Sequence, residues 1–385
     1  MTERTLFLIL LRCLVTGTSP DKEVCDHFTP DTAPALLALA RHHDAAHWVG
    51  YALGLKDETL LTSQVGKPFA TAQIQAMFRY EGLRYEQQRA MATLEAAHIP
   101  FVPLKGAILR DYYPHPWLRT SCDIDLLVSP DHLDRAVDAL STDGWTPEEK
   151  QGYHDRSLYS AGGVHLELHF SLRENRPQLD TVLDTVWEHC TPVEPGRYEH
   201  RMDNAYFLFH QVAHAAYHFT AGGCGVRPIV DIRLLTDRIP YDYAAFAQLC
   251  DAAGLASFWG QVQALCRIWF DEAPHSALTQ QMEHFILTGG VYGTRQNKEA
   301  VERAHSGGKG WHILQRIFMP YRLLCLKYPR LERQPYLAPA YQVVRWIQLF
   351  TGNKLSTSLR ELANTQNATT QEIHSTADLL RQLGL

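Results

Sequence analysis

The chain has no CxxC pair, no basic stripe, no apolar run of membrane length, no internal repeat and no low-complexity segment. Each absence removes a class of protein. The eight cysteines, at 13, 25, 122, 190, 224, 250, 266 and 325, are scattered. That argues against zinc modules and a disulfide framework, and a reducing, cytoplasmic setting is expected. Lys and Arg number 36 against 42 Asp and Glu, a formal charge of −6, so a broad electrostatic footprint for nucleic acid is not expected. The most apolar stretch near the start, Thr5 to Val15, is interrupted by Arg12. With no cationic lead beyond Arg4 and no clear cleavage site after it, it reads as a buried first helix rather than a signal. No stretch reaches the eighteen or more apolar residues of a membrane span.

What is present is 385 residues, enough for two or three domains with substantial cores. Residues 1–95 read as an N-terminal helical region, with apolar residues at helical spacing over Ala35–Leu55 and a second long stretch over Thr71–Ala97. His43 and His47 stand one helical turn apart, but no carboxylate motif accompanies them, so a core-edge pair is preferred to a metal site. Residues 96–200 alternate strands and short helices, and 201–385 read as helical again. Within the last region His210, His214 and His218 form a one-faced helical stripe. A zinc helix would want a glutamate between its histidines, and none is present. A face lining a cleft is the better reading. Gly222-Gly223-Cys224-Gly225 breaks that helix, and Arg227 opens the next.

The middle region carries the chemistry. Cys122–Val128 is an apolar run bounded by turn residues, a buried strand containing Asp123-Ile124-Asp125. Side chains alternate on a strand, so the two carboxylates share a face about 6.6–6.8 Å apart, with Ile124 and Leu126 turned to a core. Side by side they repel unless a cation lies between them. On that ground Asp125→Asn is expected to leave the metal-free fold intact or slightly more stable. Upstream, Lys105-Gly106 closes the apolar run Ile99–Leu104 and opens a helical pattern, a turn suited to phosphate. Downstream, Val164–Phe170 alternates strictly, placing His165, Glu167 and His169 on one face and following a Gly162-Gly163 hairpin signal.

The order Lys105-Gly106, Arg119, Asp123-x-Asp125 resembles the nucleotidyltransferase superfamily typified by DNA polymerase beta. Within it the chain is most similar to a large bacterial family of uncharacterised nucleotidyltransferases. Phe318-Met319-Pro320, Lys327-Tyr328-Pro329, Leu337-Ala338-Pro339 and Arg345 look like that family's C-terminal region. The superfamily's usual Gly-Ser turn is Lys-Gly here, a variant also found in abortive-infection toxin nucleotidyltransferases. Sixteen residues lie between Gly106 and Asp123, more than usual.

The resemblance implies an α+β fold, a small mixed-sheet catalytic domain flanked by helical regions. It also implies two-metal transfer of a nucleoside monophosphate from an NTP, ATP in the first instance, to a hydroxyl. Asp123, Asp125 and Glu167 would hold Mg²⁺ or Mn²⁺; Lys105, Gly106 and Arg119 would contact the nucleotide. His169, His210, His214, Arg227 and Asp231 would line the cleft. A small molecule or protein is the expected acceptor, ahead of long nucleic acid, and no membrane partner is expected. The alternatives are a toxin-type enzyme modifying tRNA or protein, a non-catalytic nucleotide sensor, and a helical interaction protein with an incidental Asp-x-Asp.

Overall fold

A computed structural model describes residues 1–149 and 152–291, individual positions between 293 and 344, and 370–385. The first helix, α1 (Glu3–Thr16), is capped by the Thr2 hydroxyl, which accepts from the Thr5 amide, and ends at Gly17, whose φ of +70° suits a residue without Cβ. Leu6, Phe7, Leu10, Leu11 and Leu14 are buried, as a core helix requires. After α2 (Lys22–Asp26), the helical pattern across residues 35–55 is two helices, α3 (Ala33–His42) and α4 (Ala46–Gly54). Asp44, at φ +48°, turns the chain between them. The short α5 (Thr59–Thr62) leads to α6 (Lys67–Ala96), which starts with Pro68 in its first turn.

The middle region holds β1 (Phe101–Pro103), a single turn α7 (Gly106–Leu109), β2 (Asp123–Val128), α8 (Leu133–Thr142), β3 (Thr146–Pro147), β4 (Asp155–Tyr159) and β5 (His165–His169). These strands form one sheet in the order β1-β2-β5-β4-β3. Strand β2 runs antiparallel to β1 and parallel to β5; the remaining pairs are antiparallel, as the hairpin signal anticipated. The fold is therefore α+β with a small mixed sheet. Beyond it come α9 (Pro177–Leu183), a two-stranded ribbon of β6 (Cys190–Pro192) and β7 (His200–Met202), and helices α10 (Asn204–Thr220), α11 (Arg227–Arg238), α12 (Tyr243–Ala252), α13 (Ala256–Asp271) and α14 (Ala277–Gly289). A helix over Thr370–Leu383 ends the chain. Phe318–Pro320, Lys327–Pro329 and Arg345 lie outside the described residues.

Two cores explain the layering. On one sheet face Ile124, Leu126, Val128, Leu158, Leu166 and Leu168 pack against Leu83, Ala90 and Leu94 of α6 and Leu133, Ala136 and Leu140 of α8. The opposite face contributes Val102 and Leu127 to a larger core that also takes in α1, α3, α4 and α10 to α14. Helices from both ends of the chain thus share one apolar interior, with α1 touching both α11 and α13. Along β2 this second face reads Asp123, Asp125, Leu127. Its far end is core, and its near end is left for polar chemistry.

Candidate active site

Parallel pairing brings the carboxylates together. Asp123 lies opposite His165 and Asp125 opposite Glu167 in the β2–β5 register. All four side chains stand on the face away from the apolar layer under the sheet, because residues of the same parity share a face. Donor atoms of Asp123, His165 and Glu167 lie within 4.8 Å of one another, as do those of Asp125, Glu167 and His169.

Two side chains serve the buried Asp125. Lys105 Nζ donates to its Oδ1 at 3.0 Å and His169 Nε2 approaches the same oxygen at 2.9 Å. His169 Nε2 is also 3.5 Å from Glu167 Oε2. Burial by itself would raise the Asp125 pKa, but the Lys105 ammonium and the His169 hydrogen bond reverse this and hold it far below the usual carboxylate range. The His169 hydrogen bond also lowers Glu167. His169 itself is raised, since bonds to two carboxylates outweigh the cost of its burial. Asp123 goes the other way: burial first, then the charges of Asp125 and Glu167, push it up to about 6. Negative charge therefore accumulates on the Asp123 side of the cluster.

Lys105 reaches Asp125 because the chain turns sharply before α7, with Lys105 at φ +40° and ψ −114°. This is a strained conformation for a residue with a Cβ, of the kind found where function fixes the backbone. The next residue, Gly106, is closely packed: a Cβ there would lie 3.3 Å from both Cβ and Oγ of Ser121, a contact that the serine would have to ease by a few tenths of an ångström. The Lys-Gly order thus has a physical basis, with the lysine aimed at the carboxylates and the glycine pressed against the neighbouring loop.

All of these groups except His165 line a single cavity of about 350 Å³. Lys105, Gly106, Arg119, Asp123, Asp125, Glu167 and His169 form its sheet side, and His210, His214, Arg227 and Asp231 come from α10 and α11. Every residue singled out in the sequence as a site candidate is in its lining. Arg119 is held by Asp231, its Nε donating to both carboxylate oxygens at 2.8 and 3.0 Å, with Tyr113 Oη also donating to Asp231 at 2.7 Å. Arg227 donates to Asp44 at 2.8 Å and to the Thr120 hydroxyl at 3.2 Å. The glycine run after α10 caps that helix, the Gly223 amide donating to His218 O at 3.1 Å, and contributes Cys224 and Gly225 to the lining. His43 and His47 are not in it. Their Nε2 atoms bond the carbonyls of Leu287 and Leu118, at 3.2 and 2.9 Å, and serve the core.

Sequence reading missed Ser121, His154, Glu174, Gln211 and Tyr217, which also line the cavity. His154 was discoverable: it precedes β4, the hairpin partner of β5, and its ring stacks on His169 with centroids 5.5 Å apart. Glu174 sits in an irregular segment between β5 and α9 and carries no periodic signal.

Three carboxylates with flanking imidazoles form a donor set able to hold a divalent cation. Paired carboxylates on a mixed sheet thus face a cavity bounded by a lysine-bearing turn and by helices α10 and α11. The chain belongs to the family described as Uncharacterised nucleotidyltransferase, whose sequence profile matches residues 29–271. That span runs from before α3 to the end of α13 and includes every lining residue named above. No curated protein matches the chain.

Proposed function

We propose that the protein moves a nucleoside monophosphate from an NTP, ATP as the expected donor, to a hydroxyl of a small molecule or protein, releasing pyrophosphate. The observation that carries this reading is the β2–β5 register. It sets Asp125 beside Glu167 and Asp123 one step along, facing a cavity with Lys105 at its edge. Asp123, Asp125 and Glu167 would hold Mg²⁺ or Mn²⁺, which when bound neutralises triphosphate charge and makes an acceptor hydroxyl more acidic. Lys105, already within 3.0 Å of Asp125, is placed to share its ammonium with the phosphates. The acceptor oxygen attacks the α-phosphorus in line. The new bond joins that oxygen to phosphorus, the bond to the β-phosphate oxygen breaks, pyrophosphate leaves with the electron pair, and the hydroxyl proton passes to Glu167. Arg119 and Arg227, anchored on Asp231 and Asp44, keep the α11 wall of the cavity in place. Positioning and charge compensation supply most of the rate in such transfers.

The test is incubation with each α-labelled NTP and Mg²⁺ in the presence of a metabolite panel and a lysate, followed by mass spectrometry. An acceptor heavier by one nucleotidyl group, with stoichiometric pyrophosphate, is expected. Thermal scans accompany it. NTP with Mg²⁺ or Mn²⁺ should raise the melting temperature well beyond NTP with chelator, because a ligand bound only by the native state stabilises it. Equal shifts with and without metal, and no adduct, would overturn the reading.

A further inference from the structure

Across the cavity from the carboxylate cluster stands a second wall, made by Glu174, His210, His214, Tyr217 and His218. Its only acid is Glu174, whose side chain is 16 % exposed. Among the described residues no lysine or arginine pairs with it. The titratable groups that act on it are Lys105 and His169, both bonded to Asp125, and Asp180, whose carboxylate accepts from the Glu174 backbone amide at 2.8 Å. Its one side-chain partner among the described residues is His214, with Nδ1 at 3.8 Å from Oε1. That imidazole is no counter-ion. Burial, Lys105 and His218 keep it neutral, and its Nε2 already shares a proton with His218 Nε2 at 2.9 Å. His210 is 4 % exposed, and its one hydrogen bond among the described residues runs through Nδ1, from Gln211 at 3.3 Å. The Gln211 amide fixes that nitrogen as an acceptor and leaves the proton on Nε2.

A largely buried carboxylate lining a ligand cavity, with no protein cation bonded to it directly, is costly unless the ligand supplies the charge. Neutral imidazoles around it offer polar atoms without repelling a cation, and an aromatic ring in the lining, Tyr217, attracts one. We infer that this wall is the acceptor subsite and takes a hydroxyl compound bearing a protonated amine, which Glu174 receives while His210 Nε2–H holds an acceptor oxygen toward the carboxylate cluster. The inference rests on the nucleotidyl-transfer reading for its chemistry, but the amine contact is a binding statement that stands apart from turnover. Burial also pushes Glu174 up to about 7, the state of a carboxyl that an incoming cation would return to its ionised form.

Amino sugars carrying one to three amines, and the analogues with hydroxyls in their place, are titrated by calorimetry at pH 8 into the full chain. Mg²⁺ and a non-hydrolysable NTP analogue are present, so that the carboxylate cluster is covered. Wild-type protein should bind the amine compounds at least about tenfold more tightly than the hydroxyl analogues. Glu174→Gln should lose that preference and Glu174→Asp retain part of it, both with unchanged melting cooperativity. An undiminished preference in Glu174→Gln, or equal binding of the two series by wild type, would overturn the inference. Titration of the NTP analogue and Mg²⁺ alone is a separate arm. Its failure would count against the transfer reading and leave the amine comparison to be judged from titrations without nucleotide.

Discussion

Asp123 and Asp125 stand two residues apart on one strand face, yet their environments divide them. Asp125 has Lys105 and His169 on one oxygen; Asp123 has no such direct partner, and burial with the charges of Asp125 and Glu167 outweighs Lys105 and His165 and raises it to about 6. Repulsion within the pair, read from sequence, suggests that removing either acid relieves strain. The structure assigns the relief to Asp123 alone. Without metal, Asp125→Asn should destabilise the protein by about 3 kcal/mol, the lower end for a broken buried pair because Lys105 faces the cavity. Asp123→Asn should be neutral or stabilising by up to about 1 kcal/mol. Denaturant titrations in chelator at pH 7.5 check both, and equal losses would contradict the division. Glu174 adds a pH signature. Its pKa is raised above the unfolded value, so stability is intact below about 4.5 and is lost as pH rises through about 7. Glu174→Gln should therefore stabilise by roughly 2 kcal/mol at pH 8 and by almost nothing at pH 5. A gain that did not vary with pH would show that Glu174 is not the group responsible.

At the level of elements, what the sequence disclosed follows from periodicity. The strict alternation of His165, Glu167 and His169, and the Asp-Ile-Asp run, fix which side chains share a face, and both faces fall as expected. Pairing between distant strands leaves no local trace. Nothing in residues 96–170 says that β2 lies parallel to β5 rather than beside its sequence neighbour β3. Nor does spacing reveal that Arg119 meets Asp231 or that Arg227 meets Asp44, 112 and 183 residues away. The Asp44 turn shows what such contacts do. Its Oδ2 gathers Arg227 at 2.8 Å, Thr120 at 3.0 Å and Arg79 at 3.4 Å, joining the α3–α4 turn to α6, to the loop before β2 and to the start of α11. Asp44→Ala should cost about 1 kcal/mol, since solvent screens an acid this exposed. It should also free Arg227 and so weaken metal-dependent NTP binding more than it lowers the melting temperature. Calorimetry beside thermal scans separates the two effects, and a variant with a lower melting temperature but native NTP affinity would make the network purely structural.

On the scale of the whole molecule, helices from both ends of the chain share one core above the sheet, and the cavity opens between that core and the carboxylate face. Among the described residues no helix is long and apolar enough to cross a membrane. The cavity's cations are already engaged: Lys105 with Asp125, Arg119 with Asp231, Arg227 with Asp44. Outside it many arginines are likewise paired with acids, Arg89 with Asp143 and Glu86, Arg233 with Asp237 and Asp271. The formal charge of the whole sequence is −6, and the arginines and lysine that line the cavity among the described residues would have to leave acids they already bind before gripping a polyanion. A protein neutralising six to ten phosphates loses roughly 10³–10⁵ in affinity between 50 and 200 mM salt. Gel-shift and filter-binding titrations against tRNA and single-stranded DNA at those two salt concentrations should therefore give only weak binding, above about 10 µM, with a shallow salt slope. Aromatic residues suited to base stacking exist, with Trp117 stacked on His115 at 5.8 Å between ring centroids, so the single-stranded probe is the more demanding half of the test. Submicromolar binding that falls steeply with salt would refute a small acceptor and direct attention to tRNA ends, the substrate of a toxin-type transferase.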